Sequence, residues 1–183
     1  MSVEPEGARV TLEVGRLGYG ELLEPAEVFP GIGRPELYWG LGMTGKCLRL
    51  GARFGGGSIA VEEAAEGQFF EGLWESDVVE FFIAGGEGKS YLEFNLAPNG
   101  SWWACGFSDV REREVDFQIP PVSAHGGETV ELWIDTRGLP FELAGARGNV
   151  TSIVGGEFFS VARLGGEQPD FHRPEDFVDL LVR

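Results

Sequence analysis

Two cysteines, two histidines and two methionines are all that the 183 residues hold of the side chains that bind soft metals and haem. Cys47 and Cys105 stand at no metal-ligand spacing, so free thiols in a reducing cytoplasm are the expectation, with a disulfide between them left open. No run approaches the ~18–20 apolar residues of a membrane span. The opening Met1-Ser2-Val3-Glu4-Pro5-Glu6-Gly7 lacks the basic start and apolar stretch of a secretory signal, which points to the cytoplasm. Basic residues are also scarce: 14 Lys and Arg stand against 30 Asp and Glu, a net charge of −16. Such a chain repels phosphate backbones, which argues against nucleic acid as a partner. The acidic residues form no tail; they are spread along the chain, as on a solvated surface or a site for cations or sugar hydroxyls.

What the chain does have is glycine, 29 residues of it, together with 10 Pro and 43% hydrophobic residues. Turn-formers separate short apolar runs throughout, which suits an all-β chain. Strand character is expected over Arg9–Leu17, Leu37–Met43, Cys47–Leu50, Asp77–Ala84, Tyr91–Leu96, Ser101–Phe107, Thr129–Asp135, Asn149–Val154, Phe158–Ala162 and Phe177–Val182. Ser58–Val61 is a further short candidate. Pro25 and Pro30 mark a loop. Only Val61–Gln68 has a helix-favouring composition, and it is short. Neither a shift in composition nor an internal repeat divides the chain, so residues 1–183 read as a single domain. The expected fold is an antiparallel β-sandwich with little helix, of the immunoglobulin-like or jelly-roll-like kind.

Two segments imitate phosphate loops. Gly40-Leu41-Gly42-Met43-Thr44-Gly45-Lys46-Cys47 contains G-x-G-x-x-G and nearly fits G-x-x-x-x-G-K-[ST]. Both patterns work only where a strand runs into a helix whose N-terminal amides receive phosphate. Leu48-Arg49-Leu50-Gly51 and the glycines at 55–57 follow instead, and they cannot start a helix. Gly88-Lys89-Ser90 has Ile83 where the first glycine is needed, and a strand comes after it. Both are better read as turns of β-hairpins.

Ala97-Pro98-Asn99-Gly100-Ser101 is a strong turn signal, because proline presets one angle and Asn-Gly tolerates positive φ. Pairing Ala97 with Ser101 sets Asn95 opposite Trp103, Glu93 opposite Cys105 and Tyr91 opposite Phe107. Alternation then sorts two faces. Leu92, Phe94, Leu96, Trp102 and Ala104 form an apolar core face. Tyr91, Glu93, Asn95, Trp103, Cys105 and Phe107 form a mixed face. In the preceding strand, Val79, Phe81 and Ile83 join the core, which leaves Glu80 beside Glu93 and Asn95. Carboxylates, an amide and tryptophans on one face suit sugar binding. Rings stack on the C–H faces of a pyranose, while Glu and Asn exchange hydrogen bonds with its hydroxyls. The plainer alternative is that the tryptophans only pack, with Glu80 and Glu93 satisfied by an arginine or by backbone amides.

The run Leu73-Trp74-Glu75-Ser76-Asp77-Val78-Val79-Glu80-Phe81-Phe82-Ile83, followed by Tyr91-Leu92-Glu93-Phe94-Asn95-Leu96-Ala97-Pro98-Asn99-Gly100-Ser101-Trp102, resembles the DOMON-like group related to family 9 carbohydrate-binding modules. The ending Pro169-Asp170-Phe171-His172-Arg173-Pro174-Glu175-Asp176-Phe177 resembles that group as well. The resemblance implies a β-sandwich with a ligand cleft on one sheet, in which two tryptophans sandwich a terminal sugar. It marks Trp74 and Glu80 as ligand-binding, with Glu93, Asn95 and Trp103 carried over less securely. Trp133 is a candidate for the second stacking ring, although its neighbours also suit a core. Some relatives bind haem. Here Met43 sits in a strand, His125 reads as an exposed loop residue and His172 as a packed or capping one, so haem is not expected. Calcium occurs in some family 9 modules, and the acidic composition is compatible with it, but no ordered run of oxygen ligands is present.

The leading expectation is therefore a non-catalytic binding module for a carbohydrate or similar small polar ligand, with no catalytic residues and no required cofactor. The alternatives are a glycoside-acting enzyme using Glu80 and Glu93 as an acid/base pair, and a protein-interaction domain that uses its aromatic face.

Overall fold

The computed structural model describes residues 11–15, 24–25, 37–86, 88–120, 122–165 and 170–182. Thirteen strands join into one sheet: β1 (Thr11–Gly15), β2 (Glu24–Pro25), β3 (Leu37–Thr44), β4 (Cys47–Phe54), β5 (Val78–Ala84), β6 (Tyr91–Leu96), β7 (Trp102–Asp109), β8 (Glu112–Arg113), β9 (Val122–His125), β10 (Val130–Asp135), β11 (Arg147–Val154), β12 (Glu157–Ser160) and β13 (Val178–Val182). Its main path runs β8-β7-β6-β5-β11-β13-β1-β3-β4-β10-β9, with β12 on β11 and β2 on β3. The described residues contain no α-helix, only short 3₁₀ turns such as Leu73–Glu75 and Pro174–Asp176.

The expectation of a nearly all-β chain agrees with this architecture, but an antiparallel sandwich does not describe it. Strand β1 pairs in parallel with both β13 and β3. The sheet is thus mixed and continuous, and it curls into a half-barrel in which β10 approaches β6. Alternation within a strand fixes which side faces the core, but it does not fix which strand lies alongside. Val61–Gln68 also departs from expectation. It forms successive turns, closed by the Ala64 N–H to Val61 carbonyl and Gln68 N–H to Ala65 carbonyl bonds, rather than a helix. Ser58–Val61 is not a strand. Of Arg9–Leu17, the described part is β1; Pro30 lies outside the described residues.

The main core fills the inside of the curl. Val79, Phe81 and Ile83 of β5 and Leu92, Phe94 and Leu96 of β6 meet Leu48 and Leu50 of β4 and Leu132 and Ile134 of β10. Fully burying such side chains is worth about 1.5–3 kcal/mol each. A second cluster covers the outer face of β5–β7: Leu73, Val78, Phe82, Tyr91, Trp103, Phe107, Phe171 and Phe177. Every residue of β5 and β6 is buried as a result. This double cover forces the polar residues of the outer face into an apolar setting.

The Gly40–Lys46 segment is the β3–β4 hairpin, with Gly45 at φ 62°, so no helix N-terminus faces it. Cys47 and Cys105 are both free thiols.

Candidate functional site

The Asn-Gly turn sets the geometry of the site. The Ala97 N–H donates to the Ser101 carbonyl at 2.9 Å. From there β6 and β7 pair as Asn95 with Trp103, Glu93 with Cys105 and Tyr91 with Phe107. Across β5, Glu80 faces Asn95 and Phe82 faces Glu93. On the far side, Thr151 of β11 faces Glu80. Two cross-strand rows result, Thr151–Glu80–Asn95–Trp103 and Asn149–Phe82–Glu93–Cys105. Glu80 and Glu93 are therefore diagonal neighbours on one face.

A cleft of about 330 Å³ opens over these rows. Of the five residues expected at the site, Trp74, Glu80, Glu93 and Trp103 line it. Asn95 lies in the floor between Glu80 and Trp103, wholly buried. Trp133 does not belong to the cleft. It sits on β10 with its indole N–H on Glu131 and Arg49 over its ring.

The carboxyls are buried, each 4% exposed, and short of partners. Glu80 accepts one hydrogen bond, from the Thr151 hydroxyl at 2.9 Å. Among the described residues, the nearest ion-pair contact of Glu93 is the His172 Nε2 at 3.8 Å. Among the described residues, no arginine or lysine pairs with either, so the plainer reading of the sequence does not hold for them. Burial pushes Glu80 up to about 7, against the Thr151 hydrogen bond that lowers it. Burial, and then the charge of Glu80, push Glu93 up to about 8. Among the described residues, neither the amide nitrogen nor the amide oxygen of Asn95 has a hydrogen-bond partner. Asn95 stands close enough to Glu93 to favour its ionised form, but without a well-aligned bond. Leaving a buried polar group unpaired costs about 1–3 kcal/mol, so such groups call for an explanation.

The walls are aromatic. Trp74 and Trp103 meet edge to face, with centroids 5.2 Å apart and planes at 71°. They form a corner and not a pair of parallel plates. Phe107, Phe158 and Phe171 contribute further rings. Arg113 lies 5.1 Å over Trp103 and binds Glu71 at 2.5 Å, while Arg111 binds Asp170 at 2.7 Å. Both rim cations are thus already paired with exposed acids.

Sequence reasoning missed Arg111, Arg113, Phe158, Phe171 and the position of His172. The backbone N–H of Arg111 donates to the Tyr91 hydroxyl at 3.1 Å, and that hydroxyl lies 2.7 Å from His172 Nδ1. With its oxygen accepting from Arg111, the hydroxyl is free to donate its proton to Nδ1, and the tautomer that accepts it carries the imidazole proton on Nε2, toward Glu93. Burial, followed by the charge of Arg111, lowers His172 to about 4, so it is neutral at physiological pH. His125 is exposed at the end of β9. Among the described residues, no group of three or more His, Cys, Asp or Glu could hold a metal ion.

The fold and site define a curled β-sheet protein with an aromatic cleft floored by carboxyls. Among solved structures, the chain is similar to one described as a putative carbohydrate-binding protein from Bacteroides uniformis ATCC 8492. The match covers 96% of this chain and 100% of that one, with a TM-score of 0.74 and 19% sequence identity. At that identity the likeness shows the fold alone. No family model matches the chain, and no curated protein matches it.

Proposed function

We propose that the protein is a non-catalytic binding module for a carbohydrate or similar small polar ligand, held in the cleft of Trp74, Glu80, Glu93, Asn95 and Trp103. One observation carries this reading: Glu80, Glu93 and Asn95 are buried with most of their hydrogen-bonding capacity unused, directly beside tryptophan rings. A polyol supplies both the missing hydroxyl donors and acceptors and the C–H faces that rings prefer. The DOMON-like resemblance of the sequence and the name of the structural neighbour both lend support. The edge-to-face corner of Trp74 and Trp103 suits a ligand packed against one ring and capped by the other. Isothermal titration against mono- and disaccharides should give saturable heat that Trp74→Ala weakens roughly tenfold, the size of one stacking contact of about 1–1.5 kcal/mol. Absence of heat across the panel would refute the reading.

A second reading is glycoside hydrolysis. The raised carboxyls favour it, since an acid that keeps its proton near neutrality is what such chemistry needs. Turnover of aryl glycosides that disappears in Glu80→Gln would establish it. Binding without turnover favours the module.

A further inference from the structure

We propose that the ligand carries a protonated amine, seated on the cleft floor between Glu80, Glu93 and Asn95. This rests on the binding-module reading and narrows its ligand class to an amine-bearing polyol, such as an amino sugar.

An ammonium has three N–H donors, one full positive charge and no acceptor. The cleft presents two carboxyls at diagonal register positions, and beneath them lies Asn95, fully buried, whose amide oxygen has no hydrogen-bond partner among the described residues. The Asn95 amide nitrogen is also unpaired, which leaves a donor for a hydroxyl beside the amine. A neutral sugar leaves the two buried carboxyls in their protonated form, whereas an ammonium supplies the countercharge against which they can ionise. Arg113 and Arg111 at the rim favour ionised Glu93 only from a distance, being engaged by Glu71 and Asp170, and among the described residues no arginine or lysine forms an ion pair with either carboxyl. A divalent cation is a poorer occupant, since no third acidic or histidine ligand joins the pair among the described residues. Aromatic rings complete the match: Phe82 faces Glu93 and Trp103 faces Asn95, and π faces attract cations.

Proton release is the accompanying signature. The apo floor holds protons near neutrality. An arriving ammonium favours the ionised carboxyls, which lose those protons to the buffer. His172, Tyr91, Arg111, Arg113 and Cys105 are the other titratable groups around the pair. Of these, His172 is already neutral at that pH.

The test is isothermal titration of the intact protein at pH 6.5 with glucosamine, glucose and ethanolamine, in two buffers of different ionisation enthalpy. Glucosamine is expected to bind at least tenfold more tightly than glucose and to release protons, while glucose releases none. Glu93→Gln, which keeps the side-chain shape, is expected to remove the preference and most of the release. If glucose binds as tightly as glucosamine, the amine site is overturned and the carbohydrate reading stands. Ethanolamine binding with proton release, and neither sugar binding, upholds the amine site and overturns the carbohydrate reading. If none of the three binds, both fail. If Glu93→Gln folds and keeps the full preference, the amine site fails.

Discussion

Glu80 and Glu93 are diagonal neighbours on paired strands, each 4% exposed, and among the described residues they accept between them a single hydrogen bond within 3.5 Å, from Thr151. Two carboxyls so placed cannot both ionise without cost. They give the cleft its chemical character and give the fold its dependence on pH.

That dependence has a definite sign. Both groups are raised in the folded state, to about 7 and about 8, so above the unfolded value of about 4.5 the folded chain binds more protons. Their contribution to stability is complete below that value and is lost as pH rises through about 8. His172, lowered to about 4, acts oppositely and only below about 6.5, its ordinary value. Between pH 6.5 and 8 the carboxyls therefore act without opposition from His172. Scanning calorimetry is expected to show Tm falling across that window, and the fall is expected to be reduced in Glu93→Gln.

Tyr91→Phe removes the hydroxyl shared by the Arg111 N–H and His172 Nδ1. Stranding those partners is expected to cost about 1–3 kcal/mol in urea denaturation. Nitrogen-15 spectra of wild-type protein are expected to place the imidazole proton on Nε2, and the variant is expected to lose that preference.

Asp77 is half of an Asp-x-x-Glu pattern, but its work differs from that of Glu80. Its carboxylate accepts the Ile59 N–H at 2.9 Å and the Gly155 N–H at 2.7 Å, tying two loops to the start of β5. Asp77→Ala is expected to destabilise the fold by about 2–4 kcal/mol, since hydrogen bonds to a charged group are worth about 1.5–3 kcal/mol each and are not fully additive. Ligand affinity measured well below the melting temperature is expected to change less than threefold.

Gly148 lies where β11 crosses the core. A Cβ there would stand 2.7 Å from the Phe82 carbonyl oxygen and 3.3 Å from the Phe81 ring. Gly148→Ala is expected to cost about 1–3 kcal/mol by overpacking, which denaturant midpoints would reveal.

Local rules reached far along the central hairpin. The turn at Pro98-Asn99-Gly100 fixed the register of β6 on β7, and alternation separated Phe81, Leu92 and Phe94 from Glu80, Glu93 and Asn95. What those rules could not reach is long-range. Nothing in the alternation of Leu12 and Val14 says that β1 lies between β13 and β3. His172 and Phe171 come to the cleft from a loop about eighty residues beyond Tyr91, and Phe158 comes from β12, whose position depends on β11. Trp133 had the right chemistry but is held on another part of the sheet, beside Arg49 and His125. The glutamates in Val61–Gln68 suggested a helix, but the segment is used as a chain of turns in which the Ala64 carbonyl receives the Asn99 side chain.

The central claim is that one cleft, cornered by Trp74 and Trp103, takes the ligand. Indole N–H resonances report on each of the five tryptophans separately. On titration with glucosamine, the Trp74 and Trp103 resonances are expected to shift and saturate together, while those of Trp39 and Trp133 stay in place. Saturable shifts confined to Trp133 or Trp39, or the absence of any indole shift while heat is released, would contradict the account.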